Sequence, residues 1–243
     1  MAGKNLPLEL GSQTVEESKM TRRFTLLLLS LFVVFVVAVP AFPSTVLITF
    51  VQANANDQTF NGDYAGLYDG KVNGVKTEFV CDDFLHNISG GESWTANVNS
   101  SAPVNPDPTT GNRFGPGTIN NPLLTVLNLT QQEEYNMITW LVEQIFADPS
   151  NSNHQWGAYQ GAIWAITDSA WQDGDYTASY GGLTAKGEVI AAEAYKDVPA
   201  ARIVYTPAEG QPGQEFYGTE PAIPVLLGFT FVGVGMLRKR LSA

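Results

Sequence analysis

The chain contains one cysteine, two histidines and thirteen basic residues among 243. A single thiol excludes an internal disulfide, so no cystine framework supports the fold. Neither His86 nor His154 has a recognisable motif around it, and no metal or cofactor is expected. Asp173-Gly174-Asp175 lacks the full loop spacing of a calcium site and reads as a turn. Acidic residues number 24, for a formal charge of −11. The imbalance is sharper from Asn54 to Gly218, where six basic residues face twenty acidic ones, a formal charge of −14. Such a surface repels nucleic acid and anionic lipid headgroups, which removes nucleic-acid binding from consideration. It favours solubility outside the cell and would attract a cationic, amine-bearing partner.

Long apolar runs occur only near the ends. Residues 24 to 39 follow Arg22-Arg23 as the apolar core of a secretory signal, and Val51-Gln52-Ala53 offers small residues for cleavage before Asn54. Glu9, Glu16 and Glu17 suit a leader poorly, which points to Met20 as an alternative start; the competing reading is an uncleaved anchor. Residues 222 to 237 form an apolar stretch closed by Arg238-Lys239-Arg240, the pattern of a short transmembrane helix with a cytoplasmic basic tail. The chain therefore divides into a leader region (1–53), one extracytoplasmic domain (54–218) and a tail (219–243).

The domain reads as α+β, a β-rich sandwich- or barrel-like body with a helical insertion, flanked by the signal sequence and the transmembrane helix. Residues 64–68 and 75–80 predict strands, with Asp69-Gly70 and Asn73-Gly74 as tight turns. Residues 93–98 and 202–206 predict two more strands, and the Pro-, Gly- and Asn-rich stretch 100–122 predicts a long loop. Thr130-Gln131-Gln132-Glu133 is a capping-box pattern opening a helix that Asp148-Pro149 stops. Further helices are predicted over about 155–167 and 184–195. Cys81 falls at a strand end, and Gln160, Ile163 and Trp164 share one helix face.

Cysteine and glutamine together have a specific chemistry. A thiolate attacking the Gln160 carboxamide releases ammonia and closes a side-chain thioester, which a lysine amine can later open to leave a stable amide. Phe79, Phe84, Tyr159 and Trp164 supply apolar bulk to exclude water, while Asp82 and Asp83 read as a turn-forming pair, or as a proton acceptor beside the thiol. Other readings stay open. Cys81 can be a small buried hydrophobe, Gln160 an exposed helix residue and Trp164 a core aromatic. A Cys–His hydrolase or transglutaminase could be built from Cys81 with His86 or His154 and Asp168 as orienter.

Phe79-Val80-Cys81, followed well downstream by Tyr159-Gln160-Gly161-Ala162-Ile163-Trp164, resembles the motifs of bacterial thioester (TQXA) domains of surface adhesins over about residues 60 to 206. The tail, Thr219-Glu220-Pro221 with an apolar helix and Arg238, Lys239 and Arg240, resembles the PEP-CTERM sorting signal of bacteria that make exopolysaccharide. The resemblances imply a non-enzymatic, exported protein, held at the membrane by its C-terminal helix, recognised by an exosortase-like enzyme and passed to the cell surface or matrix. There a Cys81–Gln160 thioester would bond an amine-bearing ligand. The alternative is a non-reactive structural protein of the exopolysaccharide or biofilm layer, sorted by the same tail.

Overall fold

The computed structural model describes residues 45–56, 58–60, 62–84, 86–114, 129–167 and 174–219. The residues of the leader ahead of Thr45, the motif residues Glu220 and Pro221, the helix 222–237, the basic cluster Arg238, Lys239 and Arg240, and Asp168 and Asp173 lie outside them. Among the described residues no helix is long and apolar enough to cross a membrane.

Six strands close into an antiparallel barrel: β1 (Thr45–Ala53), β4 (Leu67–Val72), β5 (Val75–Cys81), β8 (Phe216–Gly218), β7 (Ile203–Pro207) and β6 (Ser93–Ser100), in that order around the ring. The fold is thus α+β and β-rich, a barrel rather than a sandwich. Strand side chains alternate between two environments. Ile48, Phe50, Phe79, Trp94, Tyr205 and Phe216 fill the interior, with the Phe79 and Phe216 rings stacked at 5.2 Å. Val80, Val204 and Tyr217 point outward into a second core under the helices.

β1 changes the N-terminal boundary. Val46, Ile48 and Phe50 alternate inward, and the strand pairs with β4 on one side and β6 on the other. The barrel therefore takes in Thr45–Ala53. The boundary drawn at residue 53 falls at the end of a strand bonded on both edges, and a cut there would open the barrel.

The β4–β5 hairpin turns at Asn73-Gly74, whose φ angles of 49° and 84° are those a type I′ turn requires. Asp69-Gly70, predicted as a second turn, lies inside β4 instead, paired with Glu78 and Thr77. Gly70 serves packing there: a Cβ would sit 2.3 Å from Cε2 of Phe79, so the glycine lets that ring lie flat across the strand.

The helical insertion lies between β6 and β7. Helix α1 (Gln131–Ala147) is opened by the complete capping box, with Thr130 accepting from the Glu133 amide and Glu133 reaching back. Helices α2 (Trp156–Thr167) and α3 (Ala185–Glu193) follow, with a 3₁₀ turn (Gly174–Thr177) between them. Ile138, Leu141, Val142 and Ile145 of α1 pack with Ala162, Ile163 and Ile166 of α2 in one core. A small hairpin, β2 (Gln58–Phe60) with β3 (Asp63–Ala65), lies against α2. Its closeness depends on Gly161, where a Cβ would stand 2.6 Å from the Phe60 ring.

Candidate functional site

Cys81 is the last residue of β5 and is 1% exposed. Its side chain belongs to the barrel-interior set, at the end of the barrel where β5 runs out. The sulfur donates to the Asp83 carbonyl at 3.2 Å and to Gln214 Oε1 at 3.4 Å, and accepts from the Asp83 amide at 3.4 Å. Burial first, and the Asp82 carboxyl second, push the thiol well above its ordinary value, while the Trp164 indole opposes them by donating toward the sulfur. At neutral pH the group is a protonated thiol.

Gln160 lies on the buried face of α2 and is 0% exposed. Its Nε2 donates to the main-chain carbonyl of Cys81 at 2.5 Å, bridging 79 positions of sequence. Its Oε1 has no hydrogen-bond partner among the described residues. A fully buried amide oxygen left unpaired costs about 1–3 kcal/mol, so the side chain is held there at a cost to the fold. The two residues singled out from the sequence are therefore brought together, the amide against the peptide that carries the thiol.

The supporting residues divide. Phe84 and Trp164 stand beside Cys81, their ring centroids 5.0 Å apart, and line a cavity of about 560 Å³ that also touches Tyr64, Tyr68, Asp63 and Gln214. Among the described residues no lysine or arginine lines it. Phe79 is inside the barrel rather than in this cleft, because β5 alternation and Phe216 hold it there. Tyr159 packs on the far side of α2 next to Gln155, 3.5 Å from its hydroxyl. Their apolar bulk serves the two cores, not the cleft.

Asp82 and Asp83 do not make a solvent-facing turn. Asp83 is 1% exposed and is paired with Arg113 and, at 2.9 Å, with His86 Nδ1. His86 thus engages a carboxylate rather than the sulfur, and His154 occupies the turn before α2 at φ 54°. Asp82 is 0% exposed and faces Glu215, also 0% exposed. The ladder explains this: Cys81 pairs with Phe216, so Asp82 falls opposite Glu215, and the Asp82 amide donates to the Glu215 carbonyl at 3.4 Å.

Glu215 is the buried residue beside the site that sequence inspection passes over, since nothing around it forms a motif. It accepts from Tyr135 Oη at 2.5 Å, from the Arg113 amide at 3.0 Å and from the Thr206 hydroxyl. Among the described residues, no N–H or hydroxyl outside the pair reaches either oxygen of Asp82, whose side chain meets the Glu215 carboxyl. Burial, then the adjacent Glu215 charge, hold the Asp82 carboxyl well above the ordinary aspartate range. Three donors serve Glu215 and none outside the pair serves Asp82 among the described residues, so the burial that raises the Asp82 carboxyl favours its protonated form.

Among the described residues no group of His, Cys, Asp and Glu is arranged to hold a metal ion. Compared with protein-family models, curated proteins and solved structures, the chain matches none.

Proposed function

We propose that the domain belongs to an exported bacterial surface protein whose Cys81 and Gln160 close an internal thioester, used once to bond covalently to an amine-bearing partner. The observation that carries this reading is the buried Gln160 carboxamide, hydrogen-bonded through nitrogen to Cys81 and left without a partner at oxygen. Closure forms a bond between Cys81 Sγ and Gln160 Cδ, breaks Cδ–Nε2 and releases ammonia. The sulfur must first leave the Asp83 and Gln214 oxygens by rotation about its Cα–Cβ bond. Attack inside one fold is intramolecular, where oriented groups reach effective molarities of about 10⁵ M or more. The cleft beside Cys81 gives an incoming amine access, and its walls of Phe84, Trp164 and Tyr68 limit water.

Export by the leader and retention by the 219–243 tail, with sorting by an exosortase-like enzyme, complete the proposal. A leader cut ahead of Thr45 would keep β1 and leave the barrel closed. The thiol's hydrogen bonds to Asp83 and Gln214 favour a second reading, a non-reactive matrix protein with an idle cysteine.

Intact mass separates the two. A thioester makes the domain lighter by one ammonia, hides the thiol under denaturing, non-nucleophilic conditions, and lets a small primary amine enter at Gln160 with release of the thiol. Cys81→Ala and Gln160→Ala should each abolish amine uptake in a folded domain. A full-mass protein with a freely titrating thiol would leave the matrix reading in place.

A further inference from the structure

The Asp82–Glu215 pair lies one residue from the thiol and is sealed from solvent. Its surroundings come from every element packed on it. The β8 approach gives Glu215, and β8 itself gives Tyr217, whose buried hydroxyl faces the pair. Helix α1 gives Tyr135, the loop before it gives Arg113, and β5 gives Cys81 and, just beyond, Asp83 with its Arg113 and His86 partners. Arg113 is shared: its guanidinium serves Asp83 while its amide serves Glu215.

Val80 and Tyr217 point toward the helices, and strand alternation places Asp82 and Glu215 on that same face. Gln160 comes from that side too. Its nitrogen contacts the carbonyl of the peptide joining Cys81 to Asp82, so the leaving nitrogen of the proposed reaction and the Asp82 carboxyl flank one peptide unit. A carboxamide expelled without a proton would depart as an amide anion, so closure needs an acid at this place and a base for the thiol proton.

We infer that Asp82 and Glu215 are the proton-handling pair of thioester closure, Asp82 protonating the departing Gln160 nitrogen; this rests on the Cys81–Gln160 reading above. The balance is complete within the site. Cys81 S–H and the Gln160 amide become the thioester and ammonia, Asp82 supplies the proton that the nitrogen needs, and the thiol proton restores the pair to its starting state. No oxidant, metal or external acid is consumed. The burial that raises the Asp82 carboxyl favours the protonated acid that this step needs.

The test compares the intact wild-type chain with Asp82→Asn, refolded from denaturant across a pH series and followed by intact mass. Asparagine keeps a donor toward Glu215 but cannot give up a proton. The expected result is a folded variant, by circular dichroism, that loses ammonia roughly 10²- to 10⁴-fold more slowly than wild type. The wild-type rate should fall at high pH as the pair loses its proton, and the variant should lose that dependence. Ammonia loss by Asp82→Asn at the wild-type rate and pH profile overturns the inference and leaves the thioester standing. Wild type at full mass at every pH overturns the thioester and the role of Asp82 together. A second measurement is independent of whether the variant folds. In Gln160→Ala protein carrying ¹³C-labelled aspartate, one aspartate carboxyl should remain protonated at neutral pH, and its absence overturns the shared proton.

Discussion

The inside and the outside of one barrel wall are built on different terms. Inside, Phe79, Trp94, Tyr205 and Phe216 pack edge and face against each other, and the stabilisation is apolar burial. Outside, where β5, β8 and β7 meet the helices, the same strands bury Asp82, Glu215, Thr206 and Tyr217, and α2 adds Gln160. An apolar interior tolerates no uncompensated charge, whereas the outer layer holds one by surrounding Glu215 with three donors. One wall of alternating strands, β5, β8 and β7, therefore separates an apolar layer from a polar one, with the Cys81 side chain on the inner side at its end.

That division can be broken from either side. The largest effect is expected from Phe216→Ala, which removes a ring stacked on Phe79 and tilted against Trp94 and Tyr68. It should cost about 3–5 kcal/mol in urea unfolding, with the outer polar cluster unchanged in sequence. Tyr135→Phe should cost less, about 1–3 kcal/mol, because it removes one of the donors to a buried carboxylate while keeping the ring stacked on Tyr217.

The pH dependence sharpens the contrast. Asp82 binds its proton more tightly when folded than when unfolded, so its contribution is fully present below its ordinary value of 3.8 and is lost as pH rises toward the raised folded value. Urea midpoints measured across that range should decline with rising pH on account of Asp82, and Asp82→Asn should flatten the decline. A variant series in the barrel interior should shift all midpoints equally. The smallest effect belongs to the helix end: Thr130→Ala removes the cap of α1 and should lower stability by about 1 kcal/mol, read by thermal unfolding.

What was legible in the sequence was local. The capping box at Thr130 and the Asn73-Gly74 turn are fixed by residues within four positions of each other, and both occur in the structure. Cys81 at a strand end and Gln160 on the buried face of a helix follow from period alone. The failures share a cause. β1 reads as the trailing part of the apolar leader because its alternation, Val46, Ile48 and Phe50, is masked by Leu47 and Val51 on the outer face, which are 49% and 40% exposed. Gly70 signals a turn by composition, yet its reason is Phe79 on the neighbouring strand. Glu215 and Asp82 are paired by ladder register over 133 positions, and no local pattern reports register. Phe79 and Tyr159 neighbour Cys81 and Gln160 in sequence, but strand alternation and helix rotation send them elsewhere.

The pairing of β8 with the end of β5 has a mechanical consequence. Phe216 lies opposite Cys81 and Gly218 opposite Phe79, so the chain leaves β8 at the end of the ladder away from Cys81. The load of a bonded partner would hang on Gln160, where the amine enters, and so would bear on α2, while a tether beyond Gly218 would bear on β8. Force between the two would pass through the core that joins the helices to the outer face of β5 and β8.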